Sequence, residues 1–97
     1  MKKYTILELC IDPDFGIKIS NIYLDEEHRD FVLFDRKTDA ENILAECFQD
    51  VKEYLGYEQG IVYDDSECSV TFYTTFGGRT EISSKRRYFI TSIDVPY

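Results

Sequence analysis

Thr38-Asp39-Ala40-Glu41-Asn42-Ile43-Leu44-Ala45-Glu46-Cys47-Phe48-Gln49-Asp50-Val51-Lys52-Glu53-Tyr54-Leu55-Gly56 is the stretch on which the fold turns. At 100° per residue, Ala40, Ile43, Leu44, Cys47, Phe48, Val51, Tyr54 and Leu55 fall within an arc of about 140°. Asp39, Glu46, Asp50 and Glu53 gather on the opposite side. Thr38 followed by Glu41 has the form of a capping box, and Gly56 supplies a stop. The spacing therefore predicts one amphipathic helix over 38–55, with Ile43, Leu44, Cys47, Phe48 and Val51 buried and an acidic outer face.

Upstream, Tyr4 to Ile11 is apolar at both phases apart from Glu8, the pattern of a strand buried on both sides. Asp12-Pro13-Asp14-Phe15-Gly16 is turn chemistry, because Pro fixes φ and Gly permits positive φ. Ile17 to Leu24 then reads as a second strand, with a bulge near Ser20-Asn21 to absorb the shift in apolar phase. Phe31 to Phe34, bounded by Asp30 and Asp35, reads as a third.

Downstream, Gly60 to Tyr63 is a candidate for a short strand, and Cys68 to Phe76 is β-rich throughout. Gly77-Gly78 suits a two-residue hairpin turn, which pairs Tyr73 with Ile82 and Thr74 with Glu81. Ser83-Ser84-Lys85-Arg86 reads as a turn, and Tyr88 to Val95 as the last strand. Without the 60–63 candidate, the order is β-β-β-α-β-β-β. An isolated amphipathic helix must bury its apolar face somewhere, and the sheet is what the chain provides. The expected fold class is α+β, a single helix packed on an antiparallel sheet.

The 97 residues suit one domain spanning 1–97, and 43% apolar content is that of a globular chain. No apolar run approaches the roughly 18 residues of a spanning helix, and Met1-Lys2-Lys3 leads into a strand pattern rather than a signal peptide. The expected location is cytoplasmic, away from membranes. Cys10, Cys47 and Cys68 lie more than twenty residues apart, and His28 is the one histidine. Zinc sites use close ligand pairs, so the thiols are expected reduced, with no metal or other cofactor.

Catalysis finds little here. Asp14-Phe15-Gly16 matches a kinase triplet but lacks every other kinase element, and counting a calcium loop from Asp12 puts Ile17 and Tyr23 where Gly and Glu belong. Gly77-Gly78 opens no helix to cradle a phosphate. The chain is expected not to be an enzyme.

Charge is the informative feature. The net charge is −8, and between residues 25 and 67 fourteen acids stand against Arg29, Arg36, Lys37 and Lys52. Such a surplus opposes phosphate-backbone binding and attracts a basic partner. On the helix, Glu46–Asp50 and Asp50–Glu53 are like-charge pairs that each cost a few tenths of a kcal/mol. Asp64, Asp65 and Glu67 continue the acidic run, with Tyr57 and Tyr63 as aromatic anchors nearby. Solubility alone accounts for many acidic surfaces and is the competing explanation.

In size, charge and architecture, though in no motif, the chain resembles small acidic inhibitor proteins. These include immunity proteins against nuclease toxins and phage-borne inhibitors of host defence. The resemblance implies a binding protein that blocks a basic partner, a nuclease or another nucleic-acid-handling protein. Asp39, Glu46, Asp50, Glu53, Tyr57, Tyr63, Asp64, Asp65 and Glu67 are the candidate contact residues read from the charge pattern. Two alternatives stand beside it. One is an accessory or oligomerisation module that pairs through a sheet edge. The other is a small RNA-binding domain using Arg79, Lys85, Arg86 and Arg87 beside Phe76, Tyr88 and Phe89.

Overall fold

The computed structural model describes residues 1–14, 16–21 and 32–96. Its elements are β1 (Lys2–Asp12), β2 (Gly16–Asn21), α1 (Lys37–Leu55), β3 (Ile61–Asp64), β4 (Ser69–Phe76) and β5 (Arg79–Asp94). The strands form one antiparallel sheet in the order β2-β1-β5-β4-β3. β5 is thus the central strand, joining the β1–β2 hairpin to the β3–β4 pair. The class is α+β, as the sequence predicts, but the order is β-β-α-β-β-β rather than β-β-β-α-β-β-β.

Three expectations are corrected along the chain. Phe34 makes a bridge to Tyr4, donating and accepting backbone hydrogen bonds of 2.7 and 2.9 Å, and no longer ladder forms among the described residues. The next bond of such a ladder would join the Ile6 amide to the Val32 carbonyl, and that carbonyl instead accepts the Thr5 hydroxyl. Ser83-Ser84-Lys85-Arg86 is strand rather than turn. Ser84, Lys85 and Arg86 pair with Phe72, Thr71 and Val70, and the irregularity falls between Phe72 and Tyr73, where Ser83 is the extra residue. One long strand therefore replaces two. The bulge expected near Ser20-Asn21 is absent as far as the described pairing reaches, since Glu8↔Ser20 and Leu7↔Asn21 continue the ladder in regular register. Ile22 to Leu24, Phe31 and His28 lie outside the described residues.

The Gly77-Gly78 turn produces the expected register, with Tyr73 opposite Ile82 and Thr74 opposite Glu81. Both glycines have positive φ, 59° and 80°, as the tight turn requires. Residues 73–82 extend past the ends of β1 and β3, so this arm is two-stranded among the described residues. Neither of its faces meets the helix, and Ile82 and Phe76 are exposed. Asking which face of 79–82 is inward has no answer because both look outward.

The helix begins one residue earlier than expected. Arg36 is the N-cap, with no side-chain cap hydrogen bond, so Thr38 lies inside the first turn and its capping box is not formed. Gly56 ends it at φ 72°, its N–H bonding the Lys52 carbonyl at 2.8 Å. α1 lies on β1 and β5, where Ala40 and Phe48 are buried against a sheet face that includes Ile6, Val70 and Tyr88. The Phe48 ring meets Tyr63 edge-on and Tyr88 at a tilt, both at 6.3 Å. Ile43, Leu44, Cys47 and Val51 are only half-buried, and Tyr54, placed in the core arc by the sequence, is 90% exposed. The helix is rolled so that Phe48, not Cys47, points at the sheet.

On the other sheet face, Thr5 is buried and donates its hydroxyl to the Val32 carbonyl at 3.0 Å. The outer part of that face is open: Ile17 and Ile19 on β2 are 70% and 58% exposed.

Candidate binding surface

Asp39, Glu46, Asp50 and Glu53 stand exposed along one side of α1. From Asp39 to Glu53 the helix rises about 21 Å. The Gln49 amide donates to Glu53 at 3.4 Å; none of the four carboxylates is ion-paired among the described residues. They form a ridge of unneutralised charge.

The acids of the following turn behave differently. Asp64 Oδ1 accepts from the Ser66 hydroxyl at 2.7 Å and from the Ser66 and Glu67 amides at 3.0 and 3.1 Å. These donors, the Ser66 hydroxyl foremost, hold its carboxyl below the usual range. Asp65 pairs with Lys52 at 2.7 Å. Glu67 accepts from Lys85 at 3.0 Å and from the Ser69 hydroxyl at 2.9 Å, with Arg87 at 3.8 Å, and its pKa is lowered chiefly by the Lys85 hydrogen bond. Asp64, Asp65 and Glu67 therefore close the β3–β4 turn and tie it to α1 and β5. The structure does not bring them to the ridge.

Tyr63 is likewise structural: its hydroxyl donates to the Gly56 carbonyl, and burial raises its pKa. Tyr57 remains exposed, its ring edge-on to Tyr63 at 5.4 Å. Lys52 lies over the Phe48 ring at 5.3 Å while reaching Asp65, so the one lysine of the helix's second half is turned away from the ridge.

Beside the ridge runs a groove of about 280 Å³ between α1 and β5. Its helix wall is Cys47, Val51, Tyr54 and Leu55, and Asp50 stands at its rim. Arg86 and Tyr88 line the β5 side. The Arg86 guanidinium lies over the Phe72 ring at 5.5 Å. Burial and the Glu8 carboxylate push the Tyr88 phenol up to about 12, with Arg86 opposing. Of the groove's lining residues, Arg86 is the cation and Asp50 the carboxylate. Sequence reasoning missed this groove because it placed Tyr54 in the core.

The basic cluster is dispersed. Lys85 and Arg87 face Glu67 on the open side of the sheet, Arg86 lies on the helix side, and Arg79 sits on the arm opposite Phe76. Tyr88 is buried on the helix side, whereas Phe89 shares the other face of β5 with Lys85 and Arg87. None of the three thiols is in a disulfide, all are half-buried, and burial raises the pKa of Cys68. Among the described residues no group of three or more His, Cys, Asp or Glu is arranged to hold a metal, and no helix is long and apolar enough to cross a membrane. Comparison with protein-family models, curated proteins and solved structures found no match.

Proposed function

We propose that this is a small binding protein whose α1 ridge covers a basic surface on a partner protein, inhibiting it. A protein that handles nucleic acid is the class whose groove is built to receive a row of negative charges. One observation carries the reading. The acids of the β3–β4 turn are matched to cations or local donors, whereas Glu46 and Asp50, and with them Asp39 and Glu53, have no cation among the described residues. Charge left uncompensated on a rigid helix is available to a partner.

Changing Glu46, Asp50 and Glu53 together to Lys tests this. All three are exposed, so the fold should survive, as far-UV circular dichroism will show. Immobilised wild-type protein should retain a basic protein from its host cell and suppress that protein's nucleic-acid binding or cleavage. The triple variant should bind at least about tenfold more weakly, about 1.4 kcal/mol. Loss of binding in an Arg79, Arg87→Glu variant instead, with the groove's Arg86 left in place, would move the site to the C-terminal strand.

The exposed Ile17 and Ile19 favour a second reading, an accessory module that associates through the open sheet face and its β2 edge. Salt-insensitive oligomerisation in size-exclusion chromatography would select it over the first.

A further inference from the structure

We propose that the groove between α1 and β5 receives a large apolar side chain from a basic amphipathic helix of the partner, with the ridge pairing that helix's cations. This rests on the binding role assigned to the ridge and names the element that docks there. Three features of the site specify that occupant.

The first is continuity, since Asp50 belongs both to the ridge and to the groove's rim. A ligand that pairs with Asp50 therefore stands over Val51 and Tyr54. The second is charge: Glu46, Asp50 and Glu53 beside the groove have no cation partner among the described residues, so the ridge along it attracts cations. The third is spacing. Glu46, Asp50 and Glu53 succeed one another at intervals of four and three residues, about 5–6 Å apart between side-chain bases. Another helix bearing Lys or Arg at the same intervals presents its charges in step with these acids. A large apolar residue on the adjoining stripe of such a helix falls on the groove side, which is how amphipathic helices seat in grooves. A groove of about 280 Å³ has room for one such anchor. Tyr54, at 90% exposure, is an uncommitted aromatic wall that the anchor would cover.

The probes are two synthetic 18-residue helical peptides of equal charge, with Lys at i, i+4 and i+7. One carries Leu and Phe on the adjoining stripe, and the other has Gln at those positions. Dissociation constants are read by fluorescence anisotropy at 50 and 300 mM salt. The apolar-striped peptide should bind at least about tenfold more tightly than the Gln peptide. Tyr54→Ala should weaken the striped peptide about fivefold and leave the Gln peptide unchanged. E46K/D50K/E53K should weaken both, whereas the charge-matched E41K/E58K/E81K should weaken neither by more than about twofold. Equal binding of the two peptides, with no effect of Tyr54→Ala, overturns the groove while the ridge reading stands. Equal effects of the two triple variants overturn the ridge reading, and the groove proposal falls with it. Failure of the striped peptide to bind at all also overturns the groove, and the ridge is then judged by the partner itself.

Discussion

Phe48 is 4% exposed and holds ring contacts with both Tyr63 and Tyr88, so it joins the helix to β3 and β5 at one point. Phe48→Ala should cost about 3–5 kcal/mol, measured by urea unfolding, because the cavity left behind is walled by strands that cannot collapse into it. Tyr88 offers a test of the same core through pH. Its phenol is pushed up to about 12 by burial first and by Glu8 second. The folded state keeps the proton after the unfolded chain, near pKa 10, has released it. The contribution is therefore complete below pH 10 and disappears as pH rises towards 12, on the order of 2–3 kcal/mol. The midpoint of urea unfolding should fall across that window in the wild type more steeply than in Tyr88→Phe; parallel curves would mean the phenol is not held in its neutral form. At the acid end, Asp64 and Glu67 work in the opposite sense. Their contributions are present above the ordinary carboxylate range and are lost as pH falls through their lowered values.

Among the elements, α1 was the most legible in the sequence, because eight apolar residues at helical spacing leave no other arrangement. Its rotation was not. An arc of about 140° says which side faces inward but not which residue lies at the centre, and the aromatic partners of Phe48 decide that. The ridge acids were legible for the same reason as the helix. The internal roles of Asp65 and Glu67 were hidden because their cations, Lys52 and Lys85, come from other elements. Composition also misread Ser83 to Arg86, since serine and charged residues suit a turn and an exposed strand equally well. Gly60 is the position where an element most depends on one residue. It has φ +91°, its carbonyl accepts the Tyr73 amide at 2.7 Å, and a Cβ there would stand 2.7 Å from the Tyr73 carbonyl oxygen. Gly60→Ala combines backbone strain with a clash against backbone, and should cost about 1–3 kcal/mol. Thermal unfolding checks the size. A loss below about 0.5 kcal/mol, the scatter of ordinary surface changes, would show that the β3 entry can shift freely.

For the molecule as a whole, the sheet divides into a supported part under α1 and the two-stranded arm of 73–82. Two strands alone are marginally stable in water, so the arm should open without global unfolding. Amide hydrogen exchange should be faster at Thr74, Thr75, Thr80 and Glu81 than at Leu7 or Ile90; equal protection would mean the arm opens only when the whole domain does. Phe76, 86% exposed at its end, can be covered without disturbing the core.

The place of β5 also bears on how the chain acquires its structure in time. Of the six described elements it is synthesised after the other five, yet it is the strand that lies between β1 and β4. While a ribosome is still adding residues 79–94, the earlier chain holds the makings of two separate hairpins, and the strand that would unite them has not been made. Helix α1 then has Tyr63 available to Phe48 but not Tyr88. Completion waits on contacts that reach back more than eighty residues, from Ile93 to Lys3, the long loops whose closure slows folding. The nascent chain should thus keep these elements open to proteases and chaperones until β5 clears the exit tunnel, and they should become resistant in one step once it does.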